Sequence, residues 1–156
     1  LYMNLGFGNA KKGQFFTPYS VSKMMSEINF ADIDLKMKNK DFITLSEPCC
    51  GSGGIIIAFA ETMKNKGYNY QHQLYVEATD IDDMCFKMTY IQLALLGIPA
   101  KVIRGDTLSM RYYEILYTPF YFLSNFEYKL KSYWQNKEEP KPKIQHANQL
   151  QLFNYI

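Results

Sequence analysis

Glu47-Pro48-Cys49-Cys50-Gly51-Ser52-Gly53-Gly54 is the stretch whose reading decides the fold. A short apolar run, Phe42-Ile43-Thr44-Leu45, leads into it. Ile55-Ile56-Ile57-Ala58-Phe59-Ala60 through Met63 follows with the pattern of a helix. Strand, glycine-rich turn and helix, in that order, is how an α/β sheet presents a ligand at the carboxyl end of its first strand. The glycines let the backbone approach the ligand because no Cβ intervenes. The first turn of the helix leaves its N–H groups open. Glu47 adds a carboxylate at the strand tip, which suits an amino or ammonium group and repels a pyrophosphate. The G-x-G-x-x-G spacing of a dinucleotide site is also absent.

The chain of 156 residues is long enough for one domain with a real core. Residues 1–134 read as that domain. Residues 135–156 begin with Lys, Glu, Pro and Asn and few apolar groups, and read as a linker and tail. Hydrophobic residues at 47% against 21% charged fit a soluble globular protein. A net charge of +2 is too mild to argue for nucleic acid by itself. The cysteines, Cys49, Cys50 and Cys85, make no C-x-x-C pair, and His72 and His146 are the only histidines. No metal site is expected from that set. An odd cysteine count without a signal peptide points to a reducing compartment, the cytoplasm. The longest apolar run, Gly54 to Ala60, is far short of a bilayer span. The chain starts at Leu1 and not at Met, which leaves room for sequence upstream.

Outward from the glycine turn, the rest of an α/β unit can be read. Thr17 suits a helix cap and Pro18 a first turn, with Val21, Met24, Met25 and Ile28 at helical spacing. Residues 30–41 read as a surface connection. Strands are expected at 42–46, 74–79 and 101–104, and helices at 54–66, ended by Gly67, and after Asp82 or Asp83, ended by Gly97. Strands alternating with helices imply parallel β-α-β units. Three strands then end in Glu47, Asp80 and Asp106 on one edge of one sheet. Tyr113-Glu114-Ile115-Leu116-Tyr117 reads as a fourth strand within an aromatic stretch, 112–134, that is otherwise ambiguous between helix and strand.

Together these residues resemble the S-adenosylmethionine site of the N6-adenine DNA methyltransferases, with the nearest likeness to the modification subunits of type I restriction systems. The likeness covers roughly residues 11–110. Gly13-Gln14-Phe15-Phe16-Thr17-Pro18 is similar to the family's G-x-F-[FY]-T-P motif, which holds the methionine end of the cofactor. Glu47 to Gly54 resembles its D-P-x-x-G-S-G-G loop, and Gly105-Asp106-Thr107-Leu108 its G-D-x-L motif. The resemblance implies a Rossmann-like methyltransferase fold, here truncated, with a mainly parallel sheet and flanking helices. It implies S-adenosylmethionine as cofactor and DNA as substrate. It assigns Phe16, Thr17 and Pro18 to the methionine end and Glu47, beside Pro48, to the α-ammonium. Gly51 and Gly53 serve close approach, Asp80 and Ile81 the ribose side, and Asp106 and Thr107 the adenine amine. The cofactor's ammonium, sulfonium, ribose diol and exocyclic amine all offer positive charge or donors, so an acidic rim suits it.

The family's [DN]-P-P-[YF] motif, which accepts the target amino protons and stacks on the flipped base, has only Tyr117-Thr118-Pro119-Phe120 in its place. Neither Tyr117 nor Thr118 does the work of that Asn, and Phe120 is the remnant of the stacking position. A partner subunit that completes the site is therefore expected. In the tail, Gln149-Leu150-Gln151-Leu152-Phe153 resembles the Q-L-x-L-F peptide that binds the bacterial sliding clamp, with Gln149, Leu150, Leu152 and Phe153 as its contacts.

Plainer roles stand beside these. Asp80 can be a helix-capping acid, a role Asp82 can take instead, and Asp106 a turn residue. Cys49 and Cys50 read as small loop residues, and Met24, Met25, Met84 and Met88 as core. Three functions remain in view: a DNA adenine methyltransferase or a piece of one, a non-catalytic module derived from one, and an adaptor acting on the clamp through its tail.

Overall fold

Parallel strands need long crossovers, and the chain supplies helices of the right length between its first three strands. The computed structural model describes residues 17–30, 33–38 and 40–137. The elements run α1 (Tyr19–Phe30), α2 (Ile33–Met37), β1 (Ile43–Glu47), α3 (Gly54–Asn65), α4 (Tyr70–Gln73), β2 (Leu74–Asp80), α5 (Asp83–Leu95), β3 (Ala100–Asp106), β4 (Arg111–Tyr117), α6 (Pro119–Leu123) and α7 (Phe126–Lys137). The three expected strands and both crossover helices form within a residue or two of their expected bounds. The sheet has the order β1-β2-β3-β4. β1 pairs parallel with β2, Glu47 opposite Ala78, and β2 parallel with β3, Asp80 opposite Arg104. β4 pairs antiparallel with β3, Asp106 opposite Arg111 and Lys101 opposite Tyr117.

Side chains alternate across a strand. Leu74, Val76 and Ala78 therefore face one way, with Ile43, Ala100 and Val102 beside them. This face packs on Ile56, Phe59 and Met63 of α3, Phe86 and Leu93 of α5, and Phe30 and Ile33. Tyr75 faces the other way and joins Phe42, Tyr121 and Phe126 in a second, aromatic cluster under α6 and α7. The aromatic stretch is thus one strand and two helices. α7 continues to Lys137, past the expected start of the linker at 135. Between β4, α6 and α7 lies a hollow of about 490 Å³ whose wall includes Tyr117, Phe122, Leu130 and Trp134.

Two expectations are corrected here. Residues 30–41 are not simply a surface connection: Phe30 and Ile33 are buried, and α2 forms within the segment. The second correction concerns α1, which is helical as expected but turned over. Ser22, Ser26 and Phe30 are its buried residues, while Val21, Met24, Met25 and Ile28 are exposed. Met24, Met25 and Met84 are therefore surface residues and not core. Small residues let α1 lie close on α3. Ser26 satisfies its hydroxyl by donating to the Ser22 carbonyl at 2.8 Å, a local bond open to helical serines. α1 also starts later than read. Ser22 N–H donates to the Pro18 carbonyl at 3.1 Å, which puts Pro18 in the cap place.

Among the described residues no helix is long and apolar enough to cross a membrane. No group of three or more His, Cys, Asp or Glu among them could hold a metal ion.

Candidate functional site

The parallel register sets the carboxyl ends of β1, β2 and β3 along one edge. Neighbouring strands lie about 4.8 Å apart, and each tip stands two residues further along than the one before it, so Glu47, Asp80 and Asp106 form a diagonal row about 16 Å from end to end. Each sits differently. Among the described residues Glu47 is the least engaged of the three: its Oε1 receives a long bond, 3.4 Å, from the Cys49 N–H. Asp80 accepts the Gly51 N–H on Oδ2 at 2.8 Å and the Asp82 N–H on Oδ1 at 2.9 Å. A carboxylate offers about four acceptor sites, and the contacts of Asp80 among the described residues take two of them. The helix-capping role falls to Asp82, whose Oδ1 accepts from the N–H groups of Met84 and Cys85 at 3.0 and 3.1 Å. Asp106 closes the turn that follows it. Its Oδ2 accepts the Ser109 hydroxyl at 2.7 Å and its Oδ1 the Leu108 and Ser109 N–H groups at 3.0 and 3.3 Å. The Ser109 hydroxyl first, and then the Ser109 N–H, hold the Asp106 carboxyl below its usual range.

The glycine turn bends between these tips. Cys50 N–H donates to the Thr79 carbonyl at 2.9 Å, which ties the turn to β2. Gly51 and Gly53 take φ of 53° and 83°, the left-handed region where a side chain is costly. Gly53 also caps α3 without a side chain, its carbonyl taking the Ile57 N–H at 3.0 Å. The first N–H groups of α3 are thus left without a side-chain cap, and they point toward the rim with the positive end of the helix dipole. Thr107 bridges from the β3 tip, its hydroxyl donating to the Pro48 carbonyl at 2.6 Å. Beneath the turn, Thr89 and Gln92 of α5 donate to the carbonyls of Gly51 and Ser52 at 2.9 and 2.5 Å. Sequence reading missed these two. They lie mid-helix, and nothing in their spacing marks them.

The structure brings Glu47, Pro48, Gly51, Gly53, Asp80, Ile81, Asp106 and Thr107 to this one rim. Ile81, next to Asp80, is 62% exposed and offers apolar surface there. Thr17 and Pro18 lie at the open start of α1. That end comes close to α3, since Ser22 Oγ stands 3.8 Å from where a Cβ on Gly54 would be. Phe16 falls outside the described residues, as do Gln149, Leu150, Leu152 and Phe153.

Tyr117, Thr118, Pro119 and Phe120, read as the remnant of a base-contacting motif, do not join the rim. β4 runs antiparallel, so its end lies opposite Lys101, at the far edge of the sheet. That is the length of β3 away from Asp106, about 17 Å at 3.3 Å per residue. The physical reason is the short link. Only the turn 107–110 separates β3 from β4, and a parallel return needs a dozen residues or more. Thr118 instead staples the sheet. It is fully buried, donates to the Ile98 carbonyl at 2.7 Å and accepts the Ala100 N–H at 2.9 Å.

Comparison with known proteins places this geometry in a family. The sequence profile of the N-6 DNA Methylase family matches residues 4–152. Over 95 residues the chain is 25% identical to the type I restriction enzyme MjaIX methylase subunit of Methanocaldococcus jannaschii, which covers 61% of this chain and 15% of that protein. The chain thus spans about 15% of the length of this curated relative. Among solved structures, it is similar to a Listeria monocytogenes protein described as a class I S-adenosylmethionine-dependent methyltransferase. That match has a TM-score of 0.48 and 16% identity, over 60% of this chain and 27% of the other. A modification subunit of a type I restriction enzyme from Vibrio vulnificus YJ016 matches with a TM-score of 0.46 and 16% identity, over 61% of this chain and 19% of the other. With its profile matched over nearly its whole length, and with a mainly parallel α/β sheet of Rossmann-like type, the chain belongs to the N-6 DNA methylase family.

Proposed function

We propose that this chain binds S-adenosylmethionine at the β1–β2–β3 rim and serves as the cofactor-holding part of a DNA adenine N6-methyltransferase. The observation that carries the reading is the row of three acidic tips around one glycine turn. The donor set of the cofactor fits the residues present. Glu47, the freest carboxylate, suits the α-ammonium. The uncapped start of α3 suits the carboxylate of the methionine end, with Thr17 beside it. Asp80 keeps lone pairs for the ribose hydroxyls, and Ile81 offers an apolar face to the base. Asp106, held in its charged form, suits the exocyclic amine. When bound, S-adenosylmethionine supplies a methyl group on a positively charged sulfur.

Transfer to an adenine amine also needs a group that accepts the amine's protons. Tyr117 to Phe120 stand at the wrong end of the sheet for that. We infer that the missing group comes from a partner subunit or from sequence outside residues 1–156. The antiparallel β4 favours a second reading as well: a methyltransferase-derived module that binds the cofactor and transfers nothing on its own.

Isothermal calorimetry with S-adenosylmethionine and its demethylated product tests the shared part of both readings. Binding is expected, and Asp80→Ala should weaken it about tenfold or more, since charged hydrogen bonds are lost. No heat with either ligand ends both readings. Incubation with methyl-labelled cofactor and mixed DNA then separates them, label in DNA marking the enzyme and its absence the module.

A further inference from the structure

We infer that Thr89, on α5, is the positioning residue that fixes the shape of the glycine turn and, through it, the affinity for the cofactor. The inference rests on the cofactor reading above and adds to it a residue that lies behind the rim. Thr89 is fully buried and touches the turn in three ways. Its hydroxyl donates to the Gly51 carbonyl at 2.9 Å. The same oxygen accepts the Cys50 thiol proton at 3.6 Å. Its side chain fills the space over Gly53, where a Cβ would stand 3.3 Å from Oγ1 and 3.5 Å from Cγ2.

A hydroxyl has one proton to give, and Thr89 gives it to the residue where the turn first enters the left-handed region. Gly51 is thereby held at both of its peptide groups, its N–H by Asp80 at 2.8 Å and its carbonyl by Thr89. With that carbonyl committed to α5, the turn cannot swing it into the rim, where it would oppose an acceptor on the ligand. Burial pushes the Cys50 thiol up to about 12, so it remains a donor to Thr89 across the neutral range. A turn already held in its binding shape loses little freedom when the ligand arrives, and such preorganisation appears as affinity.

Thr89→Val keeps the shape and removes the hydroxyl, while Thr89→Ser keeps the hydroxyl. The test measures two things on the full chain: S-adenosylmethionine affinity by calorimetry, and the rate at which iodoacetamide alkylates Cys50, read by mass spectrometry. Thr89→Val should weaken binding about tenfold, the effect of taking the hydroxyl donor from a partly buried carbonyl, and should speed Cys50 alkylation by a similar factor. Thr89→Ser should stay within about threefold of the parent in both. Parent-like values for Thr89→Val in both measurements overturn the inference. So does a folded Thr89→Ser that loses binding, which keeps the test decisive if Thr89→Val fails to fold. If the parent itself binds no cofactor, the cofactor reading fails, and the Cys50 rates alone decide whether Thr89 shapes the turn.

Discussion

Asp80 joins two things at once: it anchors the glycine turn through Gly51 and the start of α5 through Asp82. Asp80→Asn keeps the volume but exchanges one acceptor oxygen for a donor, so one of those N–H groups must face an NH₂. The change should cost about 2 kcal/mol of stability, in the range for hydrogen bonds to charged groups, measured by urea unfolding. An unchanged midpoint would mean the two bonds are not what holds the turn. Asp106 responds to acid in a definite direction. A carboxyl held low in the folded state stabilises it above the ordinary value of about 3.9 and loses that contribution as pH falls through the lower folded value. Ser109→Ala should let the Asp106 value rise, followed by carboxyl ¹³C NMR, because the Ser109 hydroxyl is the leading cause of the depression. The cysteines differ in the same local way. Cys49 is exposed while Cys50 and Cys85 are buried, so iodoacetamide at pH 8 should label Cys49 first. Saturating S-adenosylmethionine should slow that labelling, since Cys49 sits in the turn. The acidic tips were legible in the sequence because strand ends mark themselves by the turn residues after them. Thr89 was not, because its partner Gly51 lies 38 positions away and only the folded crossover brings them together.

At the level of elements, Thr118 is the test of how β4 and α6 are joined to the sheet. Thr118→Val leaves the Ile98 carbonyl and the Ala100 N–H without their side-chain partner in the interior. It should cost about 2–3 kcal/mol, seen in thermal or urea unfolding, and leave cofactor affinity unchanged because the staple is at the far edge. Loss of affinity at full stability would put Thr118 near the site after all. The direction of β4 was readable in principle. The residues 107–110 make too short a link for a parallel return, and that length alone carries Tyr117 away from the rim. The facing of α1 was not readable. Apolar spacing at Val21, Met24, Met25 and Ile28 marks a helix but does not say which side packs, and the close fit of Ser22 and Ser26 against α3 overrode it. The bends at Gly51 and Gly53 use residues that tolerate φ above zero, but composition does not say which glycine of the run bends, since Gly54 is already helical.

For the molecule as a whole, the sheet proceeds β1, β2, β3, β4 with no reversal of order. Open α/β sheets place their ligand crevice where the order does reverse, so among the described residues only one wall of such a crevice, the β1–β3 side, is built. That asymmetry is why the fold and the acidic rim could be read from the sequence while the facing wall could not. The two ends of the sheet are chemically separate: acid and glycine at one, aromatic packing at the other. Trp134, the single tryptophan of the chain, lines the hollow between α6, α7 and β4 at the aromatic end. Nature has thus fitted this protein with an optical gauge of its rear wall. Its emission should stay constant while the rim fills and change in intensity when α7 peels away and the half-exposed ring loses the wall of the hollow, so that one fluorescence trace tells occupancy from unravelling.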